Sequence, residues 1–234
     1  MLISAEGISK TFLRRKRKTE VLQPTDLNLE SGRLTVIFGR SGSGKTTLLN
    51  ILAGLITPTS GRVVFDGKDI SSMTDRELSR FRNDNIGYIP QGQSALAVLT
   101  VYENLLLPTA LSGSDLSARA DELIAAAGLD ELRDSYPDEL SGGELRRLAI
   151  ARALINSPKV IFADEPTNDL DDENTVLVLE LLKAQAEKGA AVVIVTHESR
   201  AAAYADEILR MDGGVLRKEK EDEHGTEKRR SLVS

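Results

Sequence analysis

The chain has 234 residues, 41% of them apolar and 28% charged, with a formal net charge of −6. The negative balance argues against loose, non-specific nucleic-acid binding, which leans on a positive surface, and no nucleic-acid partner is expected. The absence of cysteine excludes disulfides and thiolate metal sites, and two histidines, His197 and His224, are too few for a multi-histidine metal centre.

The apolar fraction suffices for one large core, or one domain with an inserted lobe. MLISAEGISK reaches Glu6 too early for a signal peptide. LTVIFG (34–39) reads as a buried strand ending in glycine, and GKTTLLNILAGL follows as a helix stopping near Gly54. After the turn chemistry of TPTSG (57–61), RVVFDG reads as a strand closed by Asp66-Gly67. NIGYIPQ (85–91), KVIFADE (159–165) and AAVVIVTHE (190–198) read as further strands. Apolar strands alternating with helices predict a largely parallel sheet covered on both faces.

Residues 93–149 differ, and read as a helical insertion. TVYE (100–103) has the spacing of a capping box, SARADELIAAAGL (117–129) reads as a helix stopped around Gly128, and Pro137 breaks the chain. Beyond it, roughly 172–188 reads as a helix with Val178, Leu181 and Leu182 on one face and Gly189 at its end. EILRMDGGVLRK reads as a hairpin with Asp212-Gly213 in the turn, and the charged residues 218–234 as a disordered tail. The longest apolar runs, such as AAVVIV (190–195), fall short of the roughly 18 residues of a membrane span. A soluble, intracellular protein is expected, and any membrane part must come from a partner.

GRSGSGKT (39–46) matches the P-loop pattern. Its glycines let successive N–H groups turn inward around anionic oxygens, and the following helix adds its positive end. Lys45 is placed to reach the β- and γ-phosphates, and the Thr46 hydroxyl to hold Mg²⁺. Asp164 and Glu165 end an apolar strand, where two carboxylates are costly unless a cation or proton compensates them. Asp164 suits a Mg²⁺-bound water, and Glu165 is the candidate general base. The other reading of the pair is that acids favour a helix start. VVIVTH brings His197 to the same sheet edge, where ligands bind; taken alone it reads equally as a structural histidine. In LSGGELRR (140–147), Ser141 and Glu144 form a capping box. A cap needs no glycines, so Gly142 and Gly143 are read as letting a phosphate approach the positive helix end.

GRSGSGKTT, YIPQ, LSGGE, FADEPTNDLD and VTHE occur in that order. Together they resemble the ATP-binding subunit of ABC transporters over essentially residues 1–217. The resemblance implies an α/β fold of the P-loop NTPase type. Its RecA-like core, with a mostly parallel sheet, would span 1–92 and 150–217, with an N-terminal antiparallel β subdomain and a helical subdomain inserted at 93–149. It implies ATP and Mg²⁺ as ligands. Nucleotide contacts fall to Gly39, Ser41, Gly42, Ser43, Gly44, Lys45, Thr46 and Thr47, with Thr46, Gln91 and Asp164 at the metal. Gln91 becomes the glutamine sensing Mg²⁺ and attacking water, and His197 the switch histidine at the γ-phosphate. Ser141, Gly142, Gly143 and Glu144 become the signature closing on ATP held by a second copy, and Asp171 the aspartate of the loop that crosses that dimer. Phe12 falls where the family stacks an aromatic on adenine, or it packs in the core.

The short chain, the glutamate of LSGGE, TVYENLLLP and YPDEL resemble the group serving lipoprotein release, macrolide or peptide export, and cell-division signalling. Four features depart from the usual pattern: GQSALAV after Gln91, NDLD (168–171) in place of Gly-Asn-Leu-Asp, Arg40 in the P-loop, and Leu145 at a usually polar position. The implied partners are a second copy and separate transmembrane permease subunits, at the cytoplasmic face of the plasma membrane. Three functions remain open: an ATPase driving an exporter-type permease, a signalling subunit acting on a membrane partner without transport, and a soluble assembly ATPase. RRKRK (14–18) reads as a solvated turn, or as a contact for phosphate or anionic lipid.

Overall fold

The structure is a computed structural model that describes residues 2–14, 17–113 and 115–218. Arg15 and Lys16 of the basic cluster lie outside the described residues, as does the tail from 219 onward. β1 (Ile3–Arg14) and β2 (Arg17–Leu29) form a long antiparallel hairpin. β3 (Leu34–Phe38) is buried along its length and leads through the P-loop into α1 (Lys45–Leu52). β4 (Ser60–Phe65) and β5 (Lys68–Asp69) are joined by Asp66-Gly67 and pair antiparallel. β4 also pairs antiparallel with β1, so it belongs to a four-stranded sheet of order β2-β1-β4-β5 rather than to the parallel series.

α2 (Asp75–Asn85) has no counterpart in the sequence reading. Its composition is almost wholly polar, which hides a helical stripe, but Thr74 and Glu77 make a reciprocal capping box at its start. β6 (Ile86–Ile89) follows directly. α3 (Val101–Leu106) begins at the capping box of Thr100 and Glu103, and the helical lobe continues through α4 (Thr109–Ser112) and α5 (Ser117–Ala126). α6 (Gly142–Leu154) starts at Ser141. β7 (Val160–Asp164), α7 (Asp172–Glu187), β8 (Ala191–Thr196), β9 (Glu207–Asp212) and β10 (Val215–Lys218) complete the chain.

The second sheet has six strands in the order β10-β9-β3-β8-β7-β6, parallel except for the β9–β10 hairpin. The hairpin turn is Gly213-Gly214, both at positive φ (53° and 80°). Asp212 is still paired with Val215, one residue beyond the expected turn, because two successive left-handed positions suit glycine. Lys218, expected in the tail, pairs with Leu209.

Alternation along the central strands divides the core. Leu34, Val36, Ile161, Ala163, Val192 and Ile194 face the side covered by α5, α6 and α7. Ile37, Val160, Phe162, Val193 and Val195 face α1 and the antiparallel sheet. The parallel strands are buried on both faces, which is why they read as unbroken apolar runs. Their carboxyl ends meet along one edge, where helices start and polar groups can be exposed.

Candidate active site

Four parallel strands deliver the site to one edge. β3 ends at the P-loop, β7 at Asp164-Glu165 and β8 before His197, with Asp164 paired to Val195 and Phe38 to Thr196. β6 pairs Ile89 with Ala163, so Pro90 and then the exposed Gln91 leave the sheet beside Asp164 and Glu165.

The P-loop is held from outside by other backbone. A Cβ on Gly39 would lie 2.5 Å from the Met211 carbonyl, and one on Gly44 2.7 Å from that of Val21; Gly44 also has φ 108°. Both positions therefore exclude side chains on spatial grounds. The Ser43 carbonyl accepts from Gly214 N–H at 3.0 Å, so the C-terminal hairpin braces the loop. Ser41 and Thr46 are exposed, Thr47 is half-buried, and Gly42 has φ 77°. Arg40 is exposed and lends only its carbonyl to the loop's own bonding.

Lys45 is 6% exposed and points back into the loop. Its Nζ donates to the carbonyls of Gly39 (2.7 Å) and Arg40 (3.2 Å) and lies 3.2 Å from Glu165 Oε1. Glu165 is buried in a left-handed conformation, φ 47°, with its N–H donating to the Val195 carbonyl at 2.9 Å. Its Oε2 accepts from the His197 N–H at 3.2 Å and lies 3.0 Å from His197 Nδ1. The backbone of a non-glycine residue held at positive φ is strained, and such strain gathers at functional positions. Lys45, Glu165 and His197 thus form one connected cluster, with the His197 side chain 57% exposed.

Asp164 is 1% exposed, and its Oδ1 has no hydrogen-bond partner. Burial pushes its pKa up; Thr46's hydroxyl bond opposes this, Glu165's charge reinforces it, and the Lys45 and Arg146 cations oppose it. Ser43 Oγ, in the P-loop, is a second buried oxygen without a partner. Buried polar atoms are seldom left unsatisfied, and two orphans around a carboxylate and a threonine hydroxyl suit a divalent cation with its phosphate ligands. The residues therefore fit Mg²⁺ with Thr46 and Asp164 as protein donors. Among the described residues, no group of three or more His, Cys, Asp or Glu clusters as an all-protein metal cage, as a phosphate-bound Mg²⁺ does not require one.

The signature lies elsewhere on the same chain. α6 packs on α3, α5, α7 and β6, whereas α1, after the P-loop, packs on β2, β7 and β8. Ser141 Oγ accepts from Glu144 N–H at 3.3 Å, and Glu144 Oε2 accepts from Ser141 N–H at 2.7 Å. The Ser141 hydroxyl, then its N–H, holds the Glu144 carboxyl below the usual range. A Cβ on Gly142 would meet open space, while one on Gly143 would meet the Asn174 side chain. Asp171 caps α7: its carboxylate accepts from the Asn174 N–H and then from the Asn174 amide, and its pKa is lowered by both. Phe12, on β1, is 37% exposed, with Lys10 Nζ 5.2 Å from its ring centroid. Its strand position is two pairs beyond the Lys10–Leu22 pair, and Leu22's neighbour Val21 touches the P-loop.

The sequence reading missed three arginines of α6. Arg146 Nη1 donates to the Pro90 carbonyl at 2.8 Å, just before Gln91, with Asp164 and Asp169 nearby; burial lowers its pKa and those two carboxylates oppose the shift. Arg152 donates to the Ser94 carbonyl (2.9 Å) and hydroxyl (2.6 Å), so GQSALAV is fastened to the same helix. Arg147 reaches Ala127 and Asn174. The available signal was an arginine at position 146 beside apolar Leu145 and Leu148, all three of which prove buried. In NDLD the left-handed residue is Asp169 (φ 63°), a residue type that tolerates this region, and Asn168 bonds its carboxylate at 2.5 Å.

A family model described as "ABC transporter" matches residues 22–168. The chain is similar to the lipoprotein-releasing system ATP-binding protein LolD of Xanthomonas campestris pv. campestris, at 39% identity over 220 residues, 92% of each chain. It is similar to the macrolide export ATP-binding/permease protein MacB of Campylobacter jejuni, at 40% identity over 211 residues, 89% of this chain and 33% of MacB. Among solved structures it resembles the dimeric ATP-binding cassette MJ0796 in a post-hydrolysis state bound to ADP and Pi, with TM-score 0.86, 35% identity, and coverage of 93% of this chain and 98% of that one.

Proposed function

Since this chain belongs to the ABC transporter family of ATP-binding proteins, we propose that it is the ATPase of a complex whose membrane part is a separate, exporter-type permease, docked at the cytoplasmic face of the plasma membrane. It binds and hydrolyses ATP, and the working form is a head-to-tail dimer with two ATP molecules between the copies. The observation that carries this reading is the separation of two half-sites on one chain. The P-loop cluster ends the central strands, and the helix start at Ser141–Gly143, open around Gly142, sits on a helical lobe packed against other elements. Each is completed by the other only in a second copy. Among the described residues no helix is long and apolar enough to cross a membrane. The likeness to a lipoprotein-releasing system ATP-binding protein and to a macrolide export ATP-binding/permease protein supports the exporter class.

The chain's own groups divide the work. Backbone N–H groups of 39–46 and the start of α1 bind the β- and γ-phosphates. Lys45 exchanges its Glu165 and carbonyl contacts for phosphate oxygens. Thr46 and Asp164 hold Mg²⁺, which supplies charge neutralisation when bound, with Gln91 beside them. Glu165, released by Lys45, accepts a proton from the attacking water, and His197 keeps Glu165 oriented and reaches the γ-phosphate. The Ser141–Gly143 mouth, with Glu144, meets the partner's triphosphate. Phe12 stacks on adenine. Residues 93–149 act as the lobe that closes on the partner, and the 1–92 and 150–217 segments as the core.

Light scattering on the Glu165→Gln variant tests the reading. ATP should convert it from monomer to dimer, and the wild-type protein should co-purify with a polytopic membrane protein and support ATP-dependent transport in vesicles. A Glu165→Gln protein that stays monomeric with ATP, even beside the permease, would sink the shared-site reading.

A further inference from the structure

Residues 166–171 join the two half-sites along one chain. They begin beside Glu165, which pairs with Lys45 of the P-loop at 3.2 Å. They end at Asp171, whose carboxylate accepts from the Asn174 amide, which in turn accepts from Arg147 on α6. In a two-fold pair each patch of one copy meets its complement on the other, and does so twice. A segment that bridges the half-sites therefore crosses the rim of the partner's P-loop.

Acids crowd this stretch: Asp164, Glu165, Asp169, Asp171 and Asp172. All but one have a partner or a task. Asp164 suits the cation, Glu165 holds Lys45, Asp171 caps α7, and Asp172 pairs with Arg200 at 2.6 Å. Asp169 is exposed, and among the described residues its hydrogen-bond partner is only the neighbouring Asn168 amide. Arg146 is near enough to feel its charge but is committed to the Pro90 carbonyl. A spare acid between two triphosphates repels both, unless a cation meets it across the contact. The P-loop carries such a cation. The Arg40 carbonyl is turned into the loop, accepting from the Ser43 N–H and from Lys45 Nζ at 3.2 Å each. Its side chain is exposed, and among the described residues no ion pair engages the guanidinium. Both charges fall where the sequence departs from the usual pattern: Arg40 in the P-loop, and Asp169 in place of the asparagine of Gly-Asn-Leu-Asp.

We propose that Arg40 of one copy pairs with Asp169 of the partner subunit, at both ends of the two-fold contact. The pairing rests on the head-to-tail reading above and adds to it a charge lock particular to this chain. Closure around ATP is then weakened by salt.

Sedimentation velocity with ATP tests the pairing in the Glu165→Gln protein. Arg40→Glu and Asp169→Lys each set like charges opposite one another at both contacts. Each should weaken the dimer by about tenfold or more, since an exposed pair counts for about threefold and is lost twice. Mixed together, the two single variants form a heterodimer in which both contacts again join opposite charges. That mixture should dimerise to within about threefold of the parent. A bond from Arg40 to its own copy's phosphate, or from Asp169 to Arg146 of its own chain, gives no such recovery. A mixture no tighter than the tighter single variant therefore overturns the proposal. Binding of a fluorescent ATP analogue to each monomer is read first. Where Arg40→Glu loses it, or Asp169→Lys does not fold, Arg40→Gln and Asp169→Asn take their place in a double-mutant cycle. The second neutralisation should then cost less than about twofold, and additive losses overturn the pairing. A parent that stays monomeric with ATP overturns the head-to-tail reading and the pairing with it, whereas a dimerising parent whose mixture does not recover overturns the pairing alone.

Discussion

Glu165→Gln separates turnover from binding, and the geometry sets the size of each effect. The carboxylate serves Lys45 Nζ at 3.2 Å through one oxygen and the His197 N–H at 3.2 Å through the other. A glutamine has only one carbonyl oxygen. With that oxygen toward His197, its NH₂ faces the Lys45 ammonium; reversed, it faces the His197 N–H. One donor-to-donor clash is unavoidable at a buried position. Lys45 retains the Gly39 and Arg40 carbonyls, so the cost is that of one charged hydrogen bond rather than an abandoned cation, about 1–3 kcal/mol. That should lower the midpoint of thermal unfolding by roughly 2–4 °C per kcal/mol. Without a general base, hydrolysis should fall by about 10²–10⁴-fold, roughly 3–5 kcal/mol of barrier. Affinity should move the other way. In the wild-type protein Lys45 must leave Glu165 to reach a phosphate, whereas in the variant that ion pair is already gone, so ATP should bind as tightly or up to about tenfold more tightly. Single-turnover phosphate release and titration with a fluorescent ATP analogue measure the two quantities. Hydrolysis within about threefold of wild type would refute the base assignment, and ATP binding weakened by about tenfold would refute the competing Lys45–Glu165 contact.

Three further outcomes are expected. Arg146→Gln releases the Pro90 carbonyl ahead of Gln91; kcat should drop about tenfold through misplacement of that loop, while ATP affinity of the monomer holds, and equal losses in both would contradict it. Phe12→Ala should weaken ATP about 3–10-fold, the scale of one aromatic stack, and leave tripolyphosphate binding unchanged; an equal loss for both ligands would return Phe12 to a packing role. Asp206 accepts from Leu34 N–H at 2.8 Å and from Lys183 at 2.8 and 3.0 Å. Burial raises its pKa, but the Lys183 and Leu34 bonds outweigh this and hold the carboxyl below its ordinary value. A depressed folded pKa stabilises above the unfolded pKa and is lost as pH falls through the folded one. Asp206→Asn should therefore cost about 1 kcal/mol near neutral pH, with the ion pair partly exposed, and nothing once acid has protonated the wild-type carboxyl. A gap between the two proteins that persists in acid unfolding curves would contradict the ion-pair account.

Local chemistry determined much of this protein before folding is considered. LTVIFG, VIFAD and AVVIVT are buried on both sheet faces, so their runs are apolar without alternation, and the P-loop, the Asp-Glu pair and the capping boxes at Thr100 and Ser141 are each set by residues within a stretch of eight or fewer positions. These features are legible because their physical causes are short-ranged. α2 was illegible for the converse reason: its apolar stripe is only Leu78 and Phe81 among polar residues, and it is anchored by their packing on the core, with Phe81 edge-on to Phe65, a contact between distant segments. Assignment of RVVFDG to the antiparallel sheet depends on pairing with β1, nearly sixty residues away. Likewise, which glycine of LSGGE faces open space and which faces Asn174, how Arg146 fastens the loop before Gln91, and that Lys45 rests on Glu165 are contacts between segments distant in sequence. Such contacts are fixed only when the sheet order brings the strand ends together, because burial then forces each polar group to find whatever partner the tertiary structure has placed within reach.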